Sequence, residues 1–273
     1  MRLGGPVFDT KTPDDWAKAH KDAGYSAAGW RDVPSDQTDA YLQAARDAGL
    51  VIAEVYSWCN PMSRDATKRK EAIEKCQSRL AVADRVGARC CVNIAGSYGQ
   101  KWDGPCPDDL TDAALNQIVE TTRTIIDAVR PTRTFYTLET MPWMYPDSAD
   151  SYLKLLKAVD RGAMGVHLDP VNIINCPARY FRNDLVIKEC FAKLGPYIRS
   201  CHAKDILLGR DLTVHLSEVV PGAGGLAYDV FLTELGKLDP DTPLMMEHMK
   251  REEFPVAAEF IRKTAAKCGV AIL

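Results

Sequence analysis

The sequence predicts an α/β fold, a single (β/α)8 barrel built as one domain over residues 1–273. Three observations carry this expectation. Strand-like apolar runs and helix-like periodic segments alternate eight times with no break in composition. The length of 273 residues suits a fold that typically uses about 250. Four consecutive runs in the second half end in polar residues able to bind a metal: Glu139, Asp169, His202 and Glu247. They are separated by 30, 33 and 45 residues, and about 30 is one strand plus a returning helix. Parallel strands would bring the four side chains to one mouth. An open doubly wound sheet instead gathers its ligand groups at one switch point, so a closed ring fits better.

The elements follow in order. Strand one is Leu3–Phe8. Its helix opens at Thr12-Pro13-Asp14-Asp15, an N-cap, a proline at the first helical position and two acids at the positive helix end. Gly24 ends that helix. Strand two is Tyr25–Trp30, followed by a helix opened by Ser35 and ended by Gly49. Strand three is Val51–Trp58, its helix Asp65–Val86, and strand four Cys90–Ala95. The next helix spans Thr111–Val129 and stops before Pro131. Strands five to eight end at or near Glu139, Asp169, His202 and Glu247. Their helices are Ser148–Asp160, Asp184–Leu194, Tyr228–Leu238 and Pro255–Cys268. Loops after strands three to seven are long and hold Trp, Tyr, Pro and Gly, enriching the face where barrel active sites lie.

Composition narrows the classes of function. Hydrophobic residues at 46% and charged residues at 26% are an ordinary globular balance. A net charge of −3 argues against a dedicated nucleic-acid surface, which is normally basic. The nine cysteines are odd in number and contain no C-x-x-C, so reduced buried thiols of a cytoplasmic protein are expected. The N-terminal stretch has no charged region followed by an apolar one, so no signal peptide is expected. No apolar run approaches the roughly 18 residues of a membrane span.

Three carboxylates and an imidazole at one level form an oxygen-rich set. Several buried carboxylates together demand a cation. The donor set favours Mn²⁺, with Mg²⁺ or Co²⁺ as alternatives, over structural Zn²⁺, which prefers Cys and His.

On Leu138-Glu139, Leu168-Asp169-Pro170-Val171-Asn172, His202-Ala203-Lys204-Asp205, Pro221-Gly222-Ala223-Gly224 and Met246-Glu247, taken in order, the whole chain resembles the xylose-isomerase-like superfamily of sugar isomerases and epimerases. The resemblance implies a TIM barrel, a divalent metal and carbohydrate or polyol substrates. In the ketose 3-epimerases of that superfamily, residues matching Glu139 and Glu247 also move protons on a carbon beside a carbonyl. This implies a metal-dependent isomerase or epimerase working through a metal-stabilised enediolate. The chain departs from the epimerases at Asn172, where they commonly carry His, and at Met141–Pro146, which replaces a charged stretch. The superfamily also holds keto-inositol dehydratases and subunits that cleave 3-oxo C-glycosides. A lyase using the same metal and carboxylates is therefore the alternative.

Other residues are candidates for substrate binding. His167 shares a strand face with Asp169 and is either an acid/base or donor group or a satisfied interior histidine. Lys204 either binds a substrate oxygen or pairs with Asp205, which could instead orient an imidazole. Asn172 either binds substrate or caps a turn. Trp102 and Trp143, with Trp58 and Tyr145, could stack on a sugar or aglycone. Glu54 carries low functional weight. His248 is expected to pack toward the helices and His215 to face solvent. The glycine-rich Pro221–Gly225 reads as a turn shaping the pocket, lacking the strand before and Lys-Ser/Thr after that a P-loop needs. Expected partners are a small carbohydrate or glycoside and, in assembly, a further copy of the chain or a small subunit. Five histidines are too few for a multinuclear zinc nuclease.

Overall fold

The computed structural model describes residues 1–273. Ten strands run in chain order: β1 (Arg2–Gly4), β2 (Ala27–Trp30), β3 (Val51–Tyr56), β4 (Cys90–Asn93), β5 (Tyr136–Glu139), β6 (Met164–Leu168), β7 (Ile198–Ala203), β8 (Asp205–Leu208), β9 (Leu216–Val219) and β10 (Pro243–Met246). The α-helices are α1 (Pro13–Asp22), α2 (Thr38–Asp47), α3 (Ala66–Val86), α4 (Asp112–Val129), α5 (Ala149–Val159), α6 (Pro170–Ile173), α7 (Pro177–Tyr180), α8 (Asn183–Leu194), α9 (Tyr228–Leu235) and α10 (Phe254–Lys267).

Eight strands close a parallel barrel in the order β1-β2-β3-β4-β5-β6-β7-β10, with β10 pairing back onto β1 through Leu3 and Leu244. The expected eight strand–helix repeats are therefore present, and the chain is a TIM barrel. The barrel strands are buried on both faces, as parallel strands under helices must be. One continuous apolar cluster fills the layer between barrel and helices, from Leu3 and Ile52 to Phe231 and Ile261. No helix is long and apolar enough to cross a membrane.

Local signals set the helix ends. Thr12 accepts from the Asp15 N–H while Asp15 accepts from the Thr12 N–H, closing a capping box ahead of Pro13. Asp65, Thr111 and Ser148, at which the sequence starts three helices, are the N-caps of those helices. Ser35 does not: it lies in a turn closed by the Gln37 N–H on the Pro34 carbonyl, and α2 begins at Thr38. β2 starts later than expected because the Tyr25 N–H is spent on the His20 carbonyl at the end of α1. β1 stops at Gly4, two residues before Pro6, which has no N–H for a ladder.

The largest departure lies after β7. The chain there folds into an antiparallel hairpin, β8 on β9, in place of a plain loop. Asp205 roots it. Its carboxylate accepts N–H bonds from Ile206, Gly222, Gly224 and Leu226 at 2.8–3.1 Å. The glycine-rich turn thus wraps an internal carboxylate. Asp205 neither pairs with Lys204 nor touches an imidazole, contrary to both sequence readings.

Candidate metal centre

Glu139 is the last residue of β5, and His202 lies near the end of β7. Asp169 and Glu247 immediately follow β6 and β10. The strand ends bring one ligand atom from each of the four to within 4.8 Å of the others. His202 Nδ1 stands 3.1 Å from Glu139 Oε1 and 2.8 Å from Glu247 Oε1. Asp169 caps α6 through Oδ1, accepting from the Val171 N–H at 2.9 Å. That bond fixes the carboxylate and turns Oδ2 toward the cluster.

Lys204 Nζ lies 2.8 Å from Asp169 Oδ2 and 2.7 Å from Glu247 Oε1. Neither contact has hydrogen-bond geometry, so Lys204 meets both oxygens as an ion pair, and Glu247 Oε1 also faces His202 Nδ1. Three buried carboxylates and an imidazole at one level, met by a single ammonium, fit a divalent cation. Glu139, Asp169, His202 and Glu247 would hold it.

The charges polarise one another. Burial opposes the ionised form of Glu139 and Glu247, yet the His202 imidazole holds both below the usual carboxylate range. Burial would likewise lower His202, but Glu247, Glu139 and Glu54 together raise it. Asp169 is pushed up to about 6 by burial, with Lys204 opposing. Burial works against the Lys204 ammonium, but Asp169, Glu139 and Glu247 outweigh it and hold the group protonated.

Beneath this ring lies a second layer that sequence reasoning undervalued. Glu54 on β3 is wholly buried. Its carboxylate lies 2.8 Å from His167 Nε2 and 3.4 Å from His202 Nε2, and it accepts from the Ser200 hydroxyl. Burial would raise its carboxyl, but His167 and His202 outweigh that and hold it low. The sequence did carry a signal. Glu54 is the one charged residue within the apolar run Val51–Tyr56, and an acid facing into a barrel needs partners.

The remaining candidates separate by position. His167 stacks edge-on against His202 with ring centroids 4.1 Å apart, buried below the cluster. Asn172 Nδ2 donates to Glu139 Oε1 at 3.1 Å. Trp102 lines a neighbouring hollow with Tyr98 and Cys59, and Trp143 Nε1 donates to the Asp103 carbonyl at 3.0 Å. A cavity of about 650 Å³ opens above His202 and Glu247, and neither tryptophan lines it. Its aromatic walls come from elsewhere: Phe8, Trp16, Tyr56 and Phe254. His248, expected among the helices, instead takes a left-handed turn at the cavity mouth and faces Glu218. Gly29 makes room for the wall, because a Cβ there would collide with the Tyr56 hydroxyl. His215 is exposed, as expected.

A closed parallel barrel with an acid-rich cluster at its carboxyl end defines a class of catalytic scaffold. The family model described as xylose isomerase-like TIM barrel matches residues 17–264. The chain belongs to that family. Among curated protein sequences none matches. Among solved structures, D-psicose 3-epimerase with D-tagatose from Clostridium cellulolyticum H10 superposes with a TM-score of 0.69 at 13% identity, over 99% of this chain and 100% of that one. The "probable 3-DHS dehydratase AsbF involved in the petrobactin synthesis" from Bacillus anthracis gives 0.73 at 17% identity, over 95% and 97%. A xylose isomerase-like protein from Mycobacterium smegmatis in complex with magnesium gives 0.67 at 17%, over 94% and 89%. At such identities these likenesses speak for the fold.

Proposed function

We propose that this chain is a divalent-metal-dependent enzyme acting on a sugar or related polyhydroxy compound, an isomerase or epimerase that moves a proton at a carbon beside a carbonyl. The observation that carries the reading is the pair of carboxylates flanking His202 within a buried cluster of three carboxylates that a single ammonium, Lys204, faces. Mn²⁺ suits this set best, with Mg²⁺ or Co²⁺ as alternatives. When bound, the ion supplies Lewis-acid polarisation of the substrate carbonyl. Asp169 and His202 serve only to hold it. Glu139 and Glu247 are the base and acid: one, ionised, takes the proton from the carbon, and the other, carrying a proton in that step, returns it to the opposite side. The Asn172 amide fixes the Glu139 carboxylate through its bond to Oε1. Lys204 orders Asp169 and Glu247 and can donate to a substrate oxygen.

Lys204 also favours a second reading. A buried ammonium beside the proposed base can donate to a departing oxygen. The same proton removal then leads to elimination: the C–H electrons form a C=C bond, and the C–O bond breaks toward the leaving group. Incubation with free ketoses and with 3-oxo-glucosides, with Mn²⁺ in D₂O, separates the readings by mass spectrometry. Deuterium uptake without mass loss marks the isomerase, and loss of water or aglycone marks the lyase. In either case Glu139→Gln and Glu247→Gln should lower turnover by about 10²-fold or more while leaving the circular dichroism spectrum intact. Near wild-type turnover in both variants rejects the assignment.

A further inference from the structure

We infer that Arg31 forms an anion subsite in the active cavity, so that the substrate is an acidic polyhydroxy compound bearing a carboxylate or phosphate away from the reacting carbon. The inference deepens the proposed function and rests on that reading for the location of the chemistry. Arg31 directly follows β2 and lines the same cavity as His202 and Glu247. Asp9, which lines the same cavity, pairs with Arg251, and the adjacent Asp32 pairs with Arg79. Arg31 itself has no carboxylate partner. The guanidinium is nevertheless held in place. Nη1 donates to the Thr10 hydroxyl at 2.9 Å and the Thr10 carbonyl at 3.3 Å, and the group lies 5.4 Å from the Tyr41 ring centroid. Nε and Nη2 have no protein acceptor. A planar fork with donors free and its rotamer fixed is suited to a planar or tetrahedral oxyanion.

The other basic groups of the cavity are committed. His20 Nδ1 contacts the Trp16 carbonyl at 2.8 Å, and His248 pairs with Glu218. Arg31 is thus the cation left for a ligand. Position adds a second constraint. β2 lies two strands around the ring from β10, which delivers Glu247. At about 4.8 Å per strand the separation is on the order of 10 Å. A six-carbon skeleton with an anion at its far end suits that gap.

Matched ligands test this. Binding of D-glucuronate, D-glucose 6-phosphate and D-glucose is measured by calorimetry on the whole chain, with and without Mn²⁺. At least one of the two anionic sugars should bind tenfold or more tightly than glucose. Arg31→Met should abolish that preference, Arg31→Lys should retain part of it, and neither variant should change the melting temperature by more than a few degrees. Preference for glucuronate assigns a carboxylate and preference for glucose 6-phosphate a phosphate. Equal binding of all three sugars by the wild type, or a preference that survives Arg31→Met, overturns the inference. A Mn²⁺ titration run alongside tests the metal reading by itself. Absence of Mn²⁺ binding with an intact, Arg31-dependent anion preference would reject the metal and keep the subsite.

Discussion

Glu54 lies at the bottom of the barrel mouth with no lysine or arginine against it, and its carboxylate is balanced only by two imidazoles and a hydroxyl. Such a group is expensive to bury unless it has work to do. The geometry supplies that work. By accepting from His202 Nε2, Glu54 fixes the ring so that Nδ1 faces Glu139 and Glu247. Carboxylates behind metal-binding imidazoles set both tautomer and orientation, and losing one costs roughly 10–100-fold in metal affinity. Glu54→Gln should therefore weaken Mn²⁺ binding by about tenfold or more in calorimetry, and unchanged affinity would remove Glu54 from this role. Asp169, His202 and Glu247 were legible in the sequence because each ends an apolar run, where the strand period points them at the mouth. Glu54 was harder to read because it sits inside a strand, and its partners come from β6 and β7, far away in sequence. Arg31 and Phe8 were invisible because the cavity wall is made by loops whose course no periodicity encodes.

At the level of elements, the strands that deliver Glu139 and Asp169 are held by one side chain from the helix between them. The Tyr152 hydroxyl of α5 wedges between β5 and β6, donating to the Leu138 carbonyl at 2.6 Å and accepting from the Leu138 and His167 N–H groups at 3.1 and 3.3 Å. Tyr152 is fully buried, so removing its oxygen leaves buried backbone groups unpaired, at a cost of about 1–3 kcal/mol. Tyr152→Phe should lower stability by that amount in urea unfolding; a loss below the error of the measurement would show that the strands close the gap unaided. The helices themselves were largely readable, since Thr12, Asp65, Thr111 and Ser148 carry their cap chemistry locally. The hairpin of β8 and β9 was not. It depends on Asp205 collecting N–H groups from residues up to 21 positions away, a long-range act that leaves no periodic trace.

Over the whole molecule, the barrel closes around more negative charge than its own cations neutralise. Glu54, Glu139, Asp169 and Glu247 face Lys204, His167 and His202. With a large apolar core and Lys204 against the acids, the metal-free chain is expected to fold, unlike small domains that exist only with their ion. A cation that binds only the folded form still adds stability, by about 2.7 kcal/mol at a hundredfold excess over Kd. For a chain of this size that corresponds to a rise in Tm of about 5–10 °C. Mn²⁺ added to chelator-treated protein should produce a shift of that order with the transition cooperative in both states. Asp169→Asn, which removes a ligand oxygen's charge without changing its bulk, should shrink the shift. Chelated and Mn²⁺-supplied wild type melting together within about 1 °C, against the several degrees linkage requires, would mean that the ring of acids is balanced by Lys204 alone, and the metal centre would have to be abandoned.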